Sequence, residues 1–142
     1  MKNLIKVLAT GFGTGYLKPG PGTWGTLAGL AVYFFWKIPL MWLIIFSLLG
    51  IIICHEGERI LNEHDSPKIV FDEMVGIWIS LWGVPIFLYP IAFLLFRFFD
   101  IFKFFPINNL QRLPGGVGIM IDDIAAGLIT RVILGIIMII MH

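Results

Sequence analysis

From Ile119 to Met141 the chain is almost wholly apolar, and that run is long enough, at about 20 residues, to cross the hydrocarbon of a bilayer as one helix. Four shorter apolar segments precede it, at roughly 24–36, 39–54, 69–82 and 84–99, each bounded by polar or Pro/Gly punctuation. Hydrophobic residues make up 58% of the 142, well above the share of an ordinary globular domain, so the expectation is an integral membrane protein. The fold class that follows is all-α: a membrane helical bundle of about five hydrophobic helices. The four shorter ones must extend into their polar flanks or sit partly re-entrant. Proline at Pro39 and at Pro85 closes two helical hairpins, because it ends a helix and biases its predecessor to extended geometry. No repeat or linker divides the chain, and a single domain over 1–142 is expected. The N-terminus has no long apolar core ending in a small-residue cleavage site and reads as mature protein, not as a signal peptide.

Threading the hairpins leaves three polar stretches, 1–23, 55–68 and 100–118, on one side of the membrane. All nine acids lie in or within about a turn of them. Most of the basic residues do too, whereas Lys37 sits at an opposite turn and Arg131 lies within the last helix. By the positive-inside rule the charged side is cytoplasmic. Topology alone accounts for the cations, but it does not gather every carboxylate on the same face. A net charge of +1 without any nucleic-acid-binding signature argues against RNA or DNA as a partner. With Cys54 as the only cysteine, no intrachain disulfide forms.

The acids near the helix ends form four groups: Asp65; Asp72 with Glu73; Asp100; and Asp122 with Asp123. Carboxylates at membrane depth cost on the order of 3 kcal/mol near the centre and less toward the interface, which makes them functional candidates. Gathered together they repel one another, and a divalent cation removes that repulsion. Hard oxygen ligands select Mg²⁺, Mn²⁺ or Ca²⁺. Asp72, Glu73, Asp100, Asp122 and Asp123 are therefore candidate metal ligands, and Asp72, Glu73, Asp122 and Asp123 candidate catalytic residues. For Asp122 and Asp123 the bland alternative is helix-end chemistry, since acids in a first turn favour the positive end of the dipole. Two adjacent acids point about 100° apart, however, and one helix end needs only one cap. His64 and Asp65 sit in a loop, where a turn or cap role competes with a place in the site.

Arg97, Asp100 and Lys103 recur at i, i+3 and i+6 and so share a helix stripe. An interfacial helix with internal ion pairs explains them. So does a phosphate clamp in which Arg97 supplies a planar fork and Lys103 a point charge. Lys18 lies among glycines, where backbone N–H groups can approach an anion closely, and it is the third candidate substrate-binding residue. Other patterns fail. Gly20 to Gly25 matches a dinucleotide-binding spacing but follows no strand and holds a proline. Cys54 to Arg59 is one residue short of a cysteine-phosphatase loop and carries two acids that oppose a thiolate. The histidines do not form a zinc spacing.

Taken together, GFGTGYLKPGPGTWGTLAG (11–29), Cys54-His55 with His64-Asp65, IVFDEMVGIWI (69–79), FRFFDIFKFFPI (96–107) and GGVGIMIDDIAAG (115–127) resemble the phosphatidylglycerophosphatase A family of small bacterial membrane lipid phosphatases. The resemblance covers nearly the whole chain. It implies Mg²⁺-dependent hydrolysis of phosphatidylglycerophosphate to phosphatidylglycerol and inorganic phosphate, at the cytoplasmic side of the bacterial inner membrane, by a multi-pass protein. The stretch Asn108 to Pro114 departs from the family's more polar pattern at the lip of the site. Two rivals stand beside this expectation. A CDP-alcohol phosphotransferase also needs membrane carboxylates and a divalent ion, but its D-G-x-x-A-R run is absent. A small ion or proton transporter would carry its acids through the middle of the bundle instead of at one edge.

Overall fold

The computed structural model describes residues 1–103, 107–110 and 112–142; Phe104, Phe105 and Pro106 of the aromatic run, and Gln111 of the lip, lie outside the described residues. Among the described residues the regular structure is helical throughout. The helices are α1 (Lys2–Ala9), α2 (Pro21–Phe35), α3 (Leu40–Leu61), α4 (Phe71–Leu81), α5 (Tyr89–Phe102), α6 (Ile107–Leu110) and α7 (Gly115–Met141), with short 3-10 turns at Thr14–Tyr16 and Ile86–Leu88. Each of the five apolar segments contains a helix, and α1 and α6 are additions within the polar stretches.

Local chemistry sets the boundaries, and it moves two of them. Proline at the first position opens α2, where its missing N–H has no helical partner to lose. The third helix does not stop where the apolar run does at Cys54. It continues through the polar residues to Leu61 and ends at Asn62, whose left-handed φ of 51° terminates it as asparagine often does. The last helix starts at Gly115, one turn earlier than the apolar run suggests, after Pro114 in extended geometry. Asp122 and Asp123 consequently lie two turns inside α7, and its first turn holds no acid. Their role is not capping.

Two helices, α3 with 22 residues and α7 with 27, are long and apolar enough to cross a membrane, which suggests membrane association. The fourth helix is about 16 Å long and α5 about 21 Å, at 1.5 Å per residue, so this hairpin is short of a full span. Large apolar side chains such as Leu48, Ile52, Leu94, Ile101, Leu128 and Ile136 face outward around the bundle. A water-facing surface rarely carries so broad an apolar belt.

At the centre stands α4, buried along nearly its whole length and packed by α2, α3, α5 and α7. A helix that is apolar around its circumference has to be enclosed in this way. Trp78 fastens it to α2 by donating its indole N–H to the carbonyl of Gly29 at 2.7 Å. Against α7 it makes its closest approach through two glycines: a Cβ on Gly127 would stand 2.5 Å from the carbonyl oxygen of Gly76. Ser80 bridges the same crossing, donating to Gly76 O at 3.0 Å and reaching Gly127 O at 3.5 Å.

This contact holds two acids of α4 against Asp123 of α7, so widening it should act on stability and activity together. Gly127→Val is expected to cost at least about 2 kcal/mol, the scale of an overpacked core, and to abolish activity. The outward-facing control Leu128→Ala should change neither by much, as thermal unfolding in detergent and turnover will measure.

Candidate functional site

Asp72 and Glu73 occupy the first turn of α4, and Asp123 lies on the facing side of α7. One carboxylate oxygen from each of these three residues lies within 4.8 Å of the others. Asp72 and Asp123 are buried, and Glu73 is partly so. Asp72 Oδ1, Glu73 Oε2 and Asp123 Oδ1 are all sealed from solvent without a hydrogen-bond partner among the described residues. Buried polar atoms are nearly always satisfied, and an ionised carboxylate left bare costs far more than a neutral group. Three such residues side by side form a cluster that could hold a cation. The donor set is all oxygen, which suits a hard divalent ion and not a soft one.

The other two acids of the expected set are differently employed. Asp100 pairs with Arg97 one turn before it and lies 3.9 Å from Lys103. Asp122 pairs with Lys103, while its second oxygen accepts the N–H of Asp123 at 2.9 Å. The pairing of Lys103 depends on a turn that helical spacing does not foresee. The residue caps α5 in the left-handed region, φ 46°; it keeps the expected i,i+3 pairing with Asp100, and its ammonium also reaches Asp122 on α7. Burial alone would pull its pKa down, but the charges of Asp122, Asp123 and Asp100 outweigh that and hold it above the ordinary lysine value. Lys103 is a fixed cation. Arg97 is likewise largely enclosed, its Nε without a hydrogen-bond partner among the described residues, and a Cβ on Gly22 would meet its guanidinium at 3.2 Å and Glu73 Oε1 at 3.0 Å. The N-terminal turn of α2 therefore closes over Glu73 and Arg97, and a side chain at Gly22 would press on the ends of both.

Asp72, Glu73, Asp100, Lys103, Asp122 and Asp123 line a cavity of about 630 Å³, whereas Arg97 does not line it and reaches the site through its pairing with Asp100. His64 and Asp65 lie at its mouth, both exposed. Glu58 holds that loop, with an oxygen 3.1 Å from His64 Nδ1 that also accepts the N–H of Asp65 at 2.6 Å; Asp65 itself turns the chain with φ 48°. Lys18 is exposed and does not line the cavity, so the structure does not bring this expected phosphate ligand to the cluster. Two residues outside the expected set belong to the site. Gly22 sits in the stretch that fails as a dinucleotide motif, and its significance comes from what packs under it. Arg112 lines the cavity from the turn before α7, and the polar loop around it was the only signal.

Asp72, Glu73 and Asp123 can hold a divalent ion, with Lys103 on the same cavity and Arg97 paired to Asp100 beside it, and a metal with nearby cations is what transfer of a phosphoryl group needs. Comparisons with known proteins agree with this chemistry. The family model described as phosphatidylglycerophosphatase A matches residues 7–138. A protein of Haemophilus influenzae named phosphatidylglycerophosphatase A is 43% identical over 136 residues, covering 89% of this chain and 83% of its own length. One of the same name from Escherichia coli is 36% identical over 143 residues, with coverage of 94% and 83%. A Bacteroides thetaiotaomicron protein, provisionally named a phosphatidylinositol-3-phosphatase, is 36% identical over 145 residues, with coverage of 92% and 91%. No solved structure matches the chain.

Crowding three acids without a counter-ion should destabilise the metal-free protein. With chelator present, Asp123→Asn is expected to raise the thermal midpoint by about 3 to 5 °C, the shift that about 1 kcal/mol produces in a chain of this size. A lowered midpoint in differential scanning fluorimetry would mean that the cluster is held by other forces.

Proposed function

The chain belongs to the phosphatidylglycerophosphatase A family, and from that membership together with the site's geometry we propose how it acts on its lipid. The protein is a phosphoric monoester hydrolase that converts phosphatidylglycerophosphate to phosphatidylglycerol and inorganic phosphate. Family membership decides for hydrolysis over phosphotransfer to an alcohol and over ion transport. The cofactor in this reading is Mg²⁺, held by Asp72, Glu73 and Asp123, and the three orphaned oxygens are the observation that carries it.

When bound, Mg²⁺ would neutralise the terminal phosphate and lower the barrier to attack by water. The chain's own residues do the rest. Arg97 and Lys103 offer charge-assisted hydrogen bonds to phosphate oxygens in partial exchange for Asp100 and Asp122. As Lys103 turns to the phosphate, Asp122 is released to accept a proton from the attacking water. The bond from phosphorus to the headgroup oxygen breaks as the bond to water forms, and Asp122 returns that proton to the departing headgroup oxygen, giving the free alcohol and inorganic phosphate. Its second oxygen, on the N–H of Asp123, keeps the carboxylate oriented meanwhile. Asp100 keeps Arg97 directed at the site, and Gly22 leaves room for both. His64 and Asp65 shape the mouth.

A single lipid phosphatase domain over 1–142 sits in the bacterial inner membrane as a multi-pass bundle, with α3 and α7 spanning, α4 and α5 re-entrant and the cavity opening to the cytoplasmic side. The acyl chains remain in the leaflet against the apolar belt. The substrates in the relatives' names share one plan: a polyol headgroup joined to the lipid through a phosphodiester and carrying a phosphomonoester farther out.

Purified protein in detergent, given phosphatidylglycerophosphate, is expected to release phosphate with Mg²⁺ and not with chelator. Asp72→Asn and Asp123→Asn should each lower kcat by at least about a hundredfold, with the fold retained. Arg97→Ala should lower kcat/KM. Release that persists in chelator, or in both aspartate variants, would remove the cluster from the reaction.

A further inference from the structure

The cavity is larger and more one-sidedly charged than one phosphomonoester requires. Six carboxylates and two cations, Lys103 and Arg112, line it. Lys103 is committed to Asp122 and Asp100. Arg112 differs: it is exposed, and its side chain makes no hydrogen bond or ion pair among the described residues. Its backbone is nonetheless anchored, with its N–H donating to the carbonyl of Asn109 at 3.3 Å and that of Leu113 to Leu110 at 3.2 Å. A cation on a held turn, at the edge of an acid-lined cavity and without an acid of its own, is placed to meet an anion that comes from outside.

Its surroundings say which anion. The floor, with Asp72, Glu73 and Asp123, suits the terminal monoester. Next to Arg112 in the chain the exposed surface is apolar: Leu113 lines the cavity and is also 45% exposed, and Val117, in the first turn of α7, is 40% exposed. Arg112 thus adjoins two places, the acid-lined cavity and an exposed apolar surface. In a lipid whose headgroup links a diester to a terminal monoester, the diester lies between those same two places.

We propose that Arg112 binds the phosphodiester of the substrate, and that this contact makes the enzyme select lipids carrying a second, inner phosphate over lipids with a phosphomonoester alone. The inference rests on the phosphatase reading above and adds a specificity residue to it. The guanidinium can take two diester oxygens at once, which lysine's point charge cannot, so the substitution by lysine should restore only part of the effect.

The test compares Arg112→Gln and Arg112→Lys with the unaltered full-length protein in mixed micelles with Mg²⁺, on phosphatidylglycerophosphate and on phosphatidic acid, which has a monoester and no diester. Arg112→Gln is expected to raise KM for phosphatidylglycerophosphate about tenfold while kcat changes by less than about threefold, the pattern of a lost ground-state contact. Its kcat/KM for phosphatidic acid should move by less than about threefold, and Arg112→Lys should fall between. Three results would overturn the proposal: KM unchanged in Arg112→Gln, an equal loss on both lipids, or full activity of Arg112→Lys on phosphatidylglycerophosphate. Failure of the underlying reading looks different, because the unaltered protein would then release no phosphate from phosphatidylglycerophosphate at all.

Discussion

Mutual repulsion among Asp72, Glu73 and Asp123 is the constraint around which the rest of the structure is arranged. Those side chains come from two helices that would separate if they were free to, and they are held within 4.8 Å of one another by packing elsewhere. The packing is specific. Gly76 and Gly127 let α4 and α7 touch backbone to backbone one turn deeper than the acids, and Trp78 ties α4 to α2 from the other side. The apolar burial of α4 stabilises the bundle, and the bundle keeps the carboxylates where a cation can bridge them.

The five acids near this point are divided by their partners into two kinds. Asp100 and Asp122 have cations, whereas each of the remaining three has an oxygen without a hydrogen-bond partner among the described residues. The division has a physical logic. A site that must accept a phosphate needs cations that are present, oriented and able to change partner, and a paired aspartate supplies all three conditions. It also needs acids with open coordination, which an aspartate already paired with lysine does not offer. Adjacent residues can therefore differ in role: Asp122 and Asp123 are neighbours in sequence, yet one faces Lys103 and the other faces Asp72.

Much of this arrangement was legible from the residues alone, and the parts that were not have identifiable causes. Apolar segments and proline breaks located a helix in every expected stretch, because burial and the missing proline N–H act locally. Hairpin threading expected acids of separate segments to meet, and Asp72, Glu73, Asp100, Asp122 and Asp123 do line one cavity, since hairpins constrain which ends meet. The extension of α3 to Leu61 was hidden, as a helix can outrun its apolar face when its polar turns are exposed. Starting α7 at Gly115 required knowing that Pro114 would act as its lead-in. The left-handed turn at Lys103 carries no sequence signal, for lysine is rare there, and without it the pairing with Asp122 is invisible. Lys18 was favoured by its glycine neighbours, but loop composition says little about direction. Gly22 and Arg112 have significance only through what lies across from them in space.

The claim on which the account depends is that one divalent cation binds the three unsatisfied oxygens, and metal binding tests it without reference to turnover. Manganese titrated into the purified protein and followed by electron paramagnetic resonance should show a bound ion displaced by Mg²⁺, with that binding lost in Asp123→Asn and kept in Asp65→Asn at the cavity mouth. Equal binding by the unaltered protein and Asp123→Asn would contradict it, because the ion would then have to be held by something other than the cluster between α4 and α7.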